Sequence, residues 1–327
     1  MMPVSSENTV CDRKHVGGEN RIRRIIGSSA FLLLVTGTLI GFNFPLGKIA
    51  GEAGVSPMIW ALLVSLGASA MLLPVQLLRR RLVLPKGRML RYVIFSALIS
   101  FVLPNVLLFS VIPHVGSGYA GLMFALSPVF TLTLAVVFRQ KTPGRIGLVG
   151  IGLGLIGAMI VSITRGAAPE APEMIWIIVA LLVPATLACG NIYRTMDWPD
   201  QAQPDGLAFW SHSFALVVYL LLLLASEGAV PLEQLSRVPW TAVAQGVVAG
   251  LTFPVFFRLQ QHGGPVLLSQ IGYVAAAVGL LVATAVLGEV YSAMTWLGAG
   301  VIALGIAVTI IAQTGGGQSR QGAKSKP

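Results

Sequence analysis

The sequence predicts an all-α integral membrane protein with ten transmembrane helices, arranged as two inverted five-helix repeats. Composition is the first observation behind this fold class, because the 327 residues are 55% hydrophobic and only 10% charged, whereas soluble domains carry about 25% charged residues. The second is a series of ten apolar runs, each close to the ~20 residues that a helix needs to cross a bilayer. The third is that a shift of 148 positions superposes identical residues of the chain on one another.

The apolar runs follow one another with short loops along almost the whole chain. They cover residues 27–49, 56–78, 90–112, 117–138, 145–164, 174–194, 207–226, 240–258, 266–287 and 293–313. Each run is expected to be helical, because lipid offers the backbone no hydrogen-bond partners. The predicted organisation is a polar cytoplasmic tail at 1–26, a first five-helix repeat at 27–164, a second, inverted repeat at 174–313, and a cytoplasmic tail at 314–327.

The internal repeat consists of polar residues and glycines that recur at matching positions. The shift superposes Asn43 on Asn191, His114 on His262, Gly116 on Gly264, and Gly150, Gly152 and Gly157 on Gly298, Gly300 and Gly305. Because each copy has five runs, an odd number, the second copy starts on the opposite face of the membrane and must be inverted. Inverted repeats are typical of secondary transporters, whose substrate site lies near the midplane where the copies meet.

The basic residues give the expected orientation. With the N-terminus in the cytoplasm, 19 of the 22 lysines and arginines fall at the inner face, Arg194 and Arg258 among them. This asymmetry follows the positive-inside rule and predicts that both termini are cytoplasmic. It also accounts for the net charge of +10 without a nucleic-acid partner, which we do not expect.

The repeated asparagines Asn43 and Asn191 are the first candidate site residues, together with their neighbours Phe44 and Tyr193. A buried amide costs free energy unless it finds hydrogen-bond partners. Two interpretations are open: an interhelical hydrogen bond that fixes packing, or a pair that lines a central cavity. The repeat symmetry puts the cavity-lining interpretation level with the packing interpretation.

Prolines interrupt matching spans of the two halves. Pro104 lies in the third span and Pro254 in the eighth, and Pro128 lies in the fourth. Proline removes a backbone hydrogen bond and kinks a helix, and matched interrupted segments point to a transporter site. These three are candidate kinks or gates, tolerated structural kinks being the alternative. Polar Asn105 adjoins the first proline, and Arg258 follows the second by about one turn.

Other polar residues complete the candidate set. Tyr119, Ser127, Gln270 and Tyr273 could bind an amphipathic solute, although tyrosines also anchor membrane interfaces. Lys48 and Arg258 are candidate charges at the cavity mouth, where Lys48 either snorkels to the interface or attracts an anionic group. For His212, near the inner end of the seventh span, a loop or capping role is favoured.

Several classes of site are not expected. Gly152, Gly154 and Gly157 spell GxGxxG, but they lie inside an apolar span with no strand before it, so the nucleotide-binding context is missing. Gly150 and Gly154 instead form a GxxxG face for close helix packing. We expect no catalytic residues, no metal site and no cofactor. The middle of each span lacks Asp and Glu, which makes a buried-carboxylate proton pump an unfavoured interpretation.

At this point the chain resembles the drug/metabolite transporter superfamily, specifically its EamA-type members. GFNFPLGK (41–48) is similar to the family's first-span pattern, and ALSPVFTLTLAVVF (125–138) to its fourth-span pattern with Ser127 and Pro128. The family's LGE ending of the ninth span is present at 287–289. The departures from the family pattern or from repeat symmetry are Gln140 and Lys141 in place of Gly-Glu, Ala276 in place of a second proline, and Met196 where Lys48 would repeat.

The resemblance implies movement of small metabolites, often amino acids or their derivatives and frequently outward, across the bacterial inner (plasma) membrane. The expected mechanism is alternating access around a site between spans 1, 3 and 4 and spans 6, 8 and 9. The expected partners are a small-molecule substrate and the lipid bilayer, in a monomer or homodimer. The alternative is a flippase for lipids or lipid-linked carriers on the same fold; a channel and a lipid-modifying enzyme are less favoured.

Overall fold

Helices and loops make up the whole of the computed structural model, which describes residues 28–140, 143–163 and 173–323 and contains no strand within them. The side chains of residues 158, 161, 162, 310 and 312–323 are not described. Seven helices within these ranges are long and apolar enough to cross a membrane, and three further apolar helices are shorter. The all-helical fold is confirmed, whereas ten membrane crossings stay a prediction. The first 26 residues and Lys141 lie outside the described residues.

The first half contains helices that begin and end at residues suited to those positions. They are α1 (Ser29–Glu52), α2 (Pro57–Leu78), α3 (Arg88–Val115), α4 (Ser117–Val137) and α5 (Arg145–Ile163). The Ser28 hydroxyl accepts a hydrogen bond from the Phe31 amide at 3.2 Å, and Ser56 accepts one from Ile59 at 3.3 Å. Such N-caps satisfy amides that have no partner within the helix.

The α3 helix contains a π-helical segment at Ala97–Val102, directly before Pro104. A proline lacks the amide hydrogen and clashes with the carbonyl one turn earlier, so the helix widens there. The Tyr219 hydroxyl donates a hydrogen bond to the Phe101 carbonyl at 3.0 Å. A side chain from the other half therefore satisfies backbone that the widened turn exposes.

The second half contains α6 (Met174–Met196), α7 (Pro204–Glu227), α8 (Pro239–Ser269), α9 (Ile271–Leu287) and α10 (Ala293–Ala323). A short 3₁₀ helix at Leu232–Arg237 joins α7 to α8. The backbone leaves helical geometry within α8 at Gly264, where φ is 71° and ψ is −174°. Its repeat partner Gly116 separates α3 from α4 with φ 83° and ψ 158°. The two glycines therefore make the same break in each half.

One predicted boundary and one predicted kink differ from the structure. The α10 helix continues to Ala323, beyond the expected end of the span at residue 313. Pro254 lies in the helical part of α8, and the change in backbone direction occurs later, at Gly264. Glycine makes this change without strain, because a positive φ with extended ψ is accessible essentially to glycine alone.

The two halves interlock rather than lie side by side. Helix α1 packs on α8 and α9, α2 on α7 and α8, and both α3 and α4 on α6. Helix α5 packs along α10, where a Cβ on Gly305 would lie 2.7 Å from the Gly150 carbonyl oxygen. The predicted glycine face therefore serves close packing between these helices. The centre of the molecule, where the repeats meet, belongs to the other eight helices.

Candidate functional site

A cavity of about 60 Å³ lies between the halves. Its walls come from α1, α2, α3 and α4 of the first half and from α6, α8 and α9 of the second. The lining residues are Ile40, Asn43, Val64, Ser100, Phe101, Asn105, Leu108, Phe109, Phe124, Ser127, Leu187, Asn191, Phe253, Phe256, Ser269 and Ile271. Ligand pockets usually measure about 300–1,000 Å³, so the cavity in this conformation has room for only a few waters.

Four of the candidate residues from the sequence line the cavity. They are Asn43, Asn105, Ser127 and Asn191. The two repeated asparagines come from α1 and α6, which correspond to each other in the two halves. The sequence repeat therefore places the same amide on two walls of one space.

Asn43 is held by hydrogen bonds on both sides of its amide. Its Nδ2 donates to the Ile40 carbonyl at 3.0 Å, and its Oδ1 accepts from Gln245 Nε2 at 2.6 Å. Gln245 belongs to α8 and is fully buried. This pair fixes the Asn43 side chain and joins the halves next to the cavity.

Asn191 belongs to a larger polar cluster that also contains Arg194, Thr195 and Gln260. Arg194 Nη2 donates to Asn191 Oδ1 at 2.8 Å, and Arg194 Nε donates to Gln260 Oε1 at 3.0 Å. Gln260 Nε2 donates to Thr195 Oγ1 at 2.6 Å and to the Asn191 carbonyl at 3.1 Å. The guanidinium is 1% exposed. A full positive charge therefore lies in the protein interior directly behind the cavity wall.

Aromatic rings surround this charge and the cavity. The Arg194 guanidinium lies 4.9 Å from the centre of the Phe256 ring and 5.5 Å from that of Phe101. Both rings line the cavity. His212 packs against Phe101, with ring centres 4.2 Å apart, and its Nδ1 lies 3.3 Å from Ser65 Oγ. The expected loop or capping role of His212 is wrong, because the side chain is fully buried inside the helix bundle.

The other five candidate binding residues do not line the cavity. Phe44 is buried against Phe124, with ring centres 5.7 Å apart. Tyr193 donates to Asp197 Oδ2 at 2.8 Å, and Tyr273 donates to the Ile151 carbonyl of α5 at 3.0 Å. Tyr119 is half-buried in the main apolar core. Gln270 is buried and lies in the sequence between the lining residues Ser269 and Ile271, and its Oε1 has no hydrogen-bond partner among the described residues.

The candidate kinks differ in their local structure. Pro104 follows the π-helical segment that carries the lining residues Ser100 and Phe101. Pro128 lies in the first turn of the second part of α4, which begins at Ser127 after a break at residues 125–126. Pro254, as described above, sits within regular helix.

One end of the bundle, which we call the Glu289 end, is closed by a charged cluster. Lys48 of α1 donates to Glu289 Oε1 at 2.6 Å, and Ser117 of α4 donates to the same oxygen at 2.7 Å. Tyr291 donates to the other oxygen. Burial alone would raise the pKa of the Glu289 carboxyl, but hydrogen bonds from Lys48, Tyr291 and Ser117 outweigh it and hold the pKa below its usual range.

The opposite end, which we call the Asp197 end, holds its own ion pairs. Arg91 lies 2.6 Å and Arg88 3.3 Å from Asp197 Oδ1. Burial would raise the pKa of Asp197, but hydrogen bonds from Arg91, Tyr193 and Arg88 outweigh it and lower the pKa. Arg258, predicted at the cavity mouth, pairs with Asp205 of α7 at 3.1 Å, and Arg79 joins the same carboxylate at 3.4 Å.

A larger space opens at the Asp197 end, beyond the polar cluster. This vestibule measures about 380 Å³, and its walls include Thr195 and Gln260. The same two residues bond to each other and to Asn191 and Arg194, and Asn191 lines the central cavity. One layer of hydrogen-bonded side chains therefore separates the vestibule from the cavity.

Sequence reasoning missed the aromatic lining and three polar residues: Arg194, Gln245 and Gln260. A signal for Arg194 was present, because a residue three positions after Asn191 lies on the same face of a helix. It was counted among the charges of the inner face. Phe101, Phe253 and Phe256 carried no signal, since apolar residues fill every span and only packing decides which of them face a cavity.

Comparison with known proteins identifies the family. A family model described as the EamA-like transporter family matches residues 27–163 and again residues 174–311. The chain belongs to this family. The two matches coincide with the two five-helix repeats predicted from the sequence, so the resemblance to EamA-type members of the drug/metabolite transporter superfamily is confirmed.

Relatives of this EamA-family protein include the uncharacterized inner membrane transporter YedA of Escherichia coli, from strain K12 and from O157:H7. Each is 25% identical over 259 residues, which is 78% of this chain and 82% of the relative. A solved structure, described only as the crystal structure of a protein, aligns with a TM-score of 0.67 over 88% of this chain and 98% of its own, at 17% identity. At that identity the likeness establishes the fold alone.

Proposed function

We propose that this chain is a secondary transporter that exports small organic metabolites, amino acids or related compounds, across the inner (plasma) membrane by alternating access. The observation that carries the proposal is the small cavity between the two halves, with Asn43 and Asn191 on two of its walls. A cavity that small admits no metabolite in this conformation, so a substrate-bound state must be wider.

Contacts between the halves at both ends support alternating access. At the Asp197 end, the loop after α6 pairs with arginines around the start of α3. At the Glu289 end, Gln234 in the loop after α7 accepts a hydrogen bond from the Ser56 amide at 2.8 Å, and Arg237 donates to the Gly54 carbonyl at 3.0 Å. At each end, the loop after the first helix of one half meets the loop after the second helix of the other half, as inversion requires. Breaking one set while the other holds would open the cavity to one face.

The substrate would shift the populations of the two states, each open to one face, only as far as its affinities for them differ. The excess of basic residues at the Asp197 end supports its placement in the cytoplasm. The curated relatives that are called inner membrane transporters support the membrane assigned here.

The test is comparative metabolite profiling of medium and cytosol. Cells that overproduce the native protein are compared with cells that carry Asn43→Ala, and with a control that carries Cys189→Ala, an exposed position on α6. We expect at least one soluble metabolite to rise in the medium with the native protein and the control, and to rise less with Asn43→Ala. If no soluble metabolite moves, the proposal is overturned and the lipid-flippase alternative is tested next.

A further inference from the structure

Arg194 is a buried cation for which the fold supplies no anion. It lies in α6 at 1% exposure. Its hydrogen-bond acceptors are the amide oxygens of Asn191 and Gln260, and among the described residues no Asp or Glu forms an ion pair with it. Charged residues inside membrane proteins are costly and normally mark a substrate or ion pathway when they face the bundle interior.

The guanidinium also lies directly behind the cavity wall, inside the bundle rather than against the lipid. The rings of Phe101 and Phe256 lie against it at 5.5 Å and 4.9 Å, and both rings line the cavity. Asn191, its hydrogen-bond partner, is a third lining residue. In a wider form of the cavity, with these two rings moved aside, an anionic group would displace amide oxygens, which carry only partial charges, to reach a full positive charge.

The lining restricts the rest of the ligand. It contains five phenylalanines and no charged side chain, so it suits an apolar or aromatic body. The polar groups that face the space are amides and hydroxyls, and the Ser100 hydroxyl has no hydrogen-bond partner among the described residues. A solute with only a positive charge would meet Arg194 with no acidic residue in the lining to balance it.

We propose that Arg194 is the counter-charge for a carboxylate of the transported solute, and that the solutes are carboxylates on an apolar or aromatic body. The guanidinium fork matches the two oxygens of a carboxylate. One arginine suits a single negative charge better than the two that a phosphate monoester carries near neutral pH. This inference rests on the proposed transport function and adds the substrate class.

The repeat does not duplicate this charge. The shift of 148 places Arg194 on Leu46, so the first half has no cation at the equivalent position. The solute would therefore bind with its carboxylate towards α6 and the polar layer at the Asp197 end. Its binding would replace Gln260 at Arg194 Nε and loosen the layer that separates the cavity from the vestibule.

The first experiment profiles the cell's own metabolite pool with Arg194→Gln, Arg194→Lys and the control Arg81→Gln, an exposed arginine that pairs with no carboxylate among the described residues. We expect the solutes that the native protein moves to carry a carboxylate. Their export should fall by about tenfold or more in Arg194→Gln, in line with the loss of a charge-assisted hydrogen bond. Arg194→Lys should retain part of the flux, and Arg81→Gln all of it.

The outcomes separate this inference from the function on which it rests. If the native protein moves no solute, the transport function fails. If it moves solutes that lack a carboxylate, or if folded Arg194→Gln exports carboxylates at the native rate, transport stands and the role of Arg194 is overturned. Export of phosphate esters instead of carboxylates overturns the substrate class.

A second measurement needs no variant, in case Arg194→Gln does not fold. Transport of each affected solute by the native protein in membrane vesicles is challenged with that same solute and with its primary amide. We expect the acid to compete and the amide, which keeps the body but loses the charge, to compete at least about tenfold more weakly. Equal competition by the amide overturns the proposal.

Discussion

The two repeated asparagines at the cavity differ in the charge of their hydrogen-bond partners. Asn43 accepts from Gln245, an uncharged partner. Asn191 accepts from Arg194 and so holds one of two amide oxygens that stabilise a buried cation. The two asparagines occupy equivalent positions in the repeat, but they contribute unequally to the stability of the protein because different side chains surround them.

Asn191→Ala is therefore expected to destabilise the protein more than Asn43→Ala. Leaving a buried neutral group such as the Gln245 amide without its partner costs about 1–3 kcal/mol, and leaving a charged group such as Arg194 without one costs more. Thermal melting of the detergent-purified variants measures the difference, with Cys189→Ala as the control on the same helix as Asn191. Equal melting temperatures for the two asparagine variants would show that Asn191 does not stabilise Arg194.

At the scale of helices, glycines and prolines decide where the spans bend. The breaks at Gly116 and Gly264 recur at the repeat distance and have φ values of 83° and 71°. Gly116 lets the chain turn between α3 and α4, and Gly264 lets it turn near the end of α8, shortly before α9. In contrast, Pro104 acts through the preceding turn of α3, where the π-helical segment brings Ser100 and Phe101 to the cavity.

Gly116→Ala and Gly264→Ala are each expected to lower stability by about 1–3 kcal/mol, because an alanine is strained in this region of backbone angles. A Cβ at either position would meet no atom within 4 Å, so crowding is not the cause. Gly152→Ala is the matched control, since a Cβ there also meets nothing within 4 Å but the residue is helical. Its melting temperature should be unchanged or higher. A similar loss in all three variants would count against backbone strain.

At the scale of the whole molecule, the internal repeat gives the two ends related contacts but unequal charges. The Lys48–Glu289 pair has no counterpart at the other end, because the repeat places Lys48 on Met196 and Glu289 on Lys141. The two ends are therefore closed by different residues, although each is closed around a carboxylate with a lowered pKa.

Acid is expected to destabilise the protein partly through Glu289. Its pKa in the folded protein is lowered from 4.5, so its contribution to stability is present above that value and is lost as the pH falls through the folded pKa. Melting temperatures of native protein and Glu289→Gln should converge as the pH is lowered from 7 to 3. The lowered pKa of Asp197 adds a loss in the same direction that both proteins share. A pH dependence identical in the two proteins would contradict this role for Glu289.

The sequence predicted the helical membrane fold, the two repeats and four of the lining residues. Apolar runs of sufficient length must become helices in lipid, and repeat symmetry marks residues such as Asn43 and Asn191 whatever surrounds them. Polar residues were detectable because they are rare in the spans. Their neighbours Phe44 and Tyr193 were also predicted at the site, but the structure turns them towards other helices.

Only the tertiary structure decided which faces of the helices meet. Tyr273 and Ser127 are both polar residues of interior spans, yet one packs on α5 and the other lines the cavity. Arg194 looked like a charge of the inner face until packing buried it between aromatic rings. The physical reason is that spacing along one helix fixes which residues share a face, whereas the partner of that face depends on contacts between segments distant in sequence.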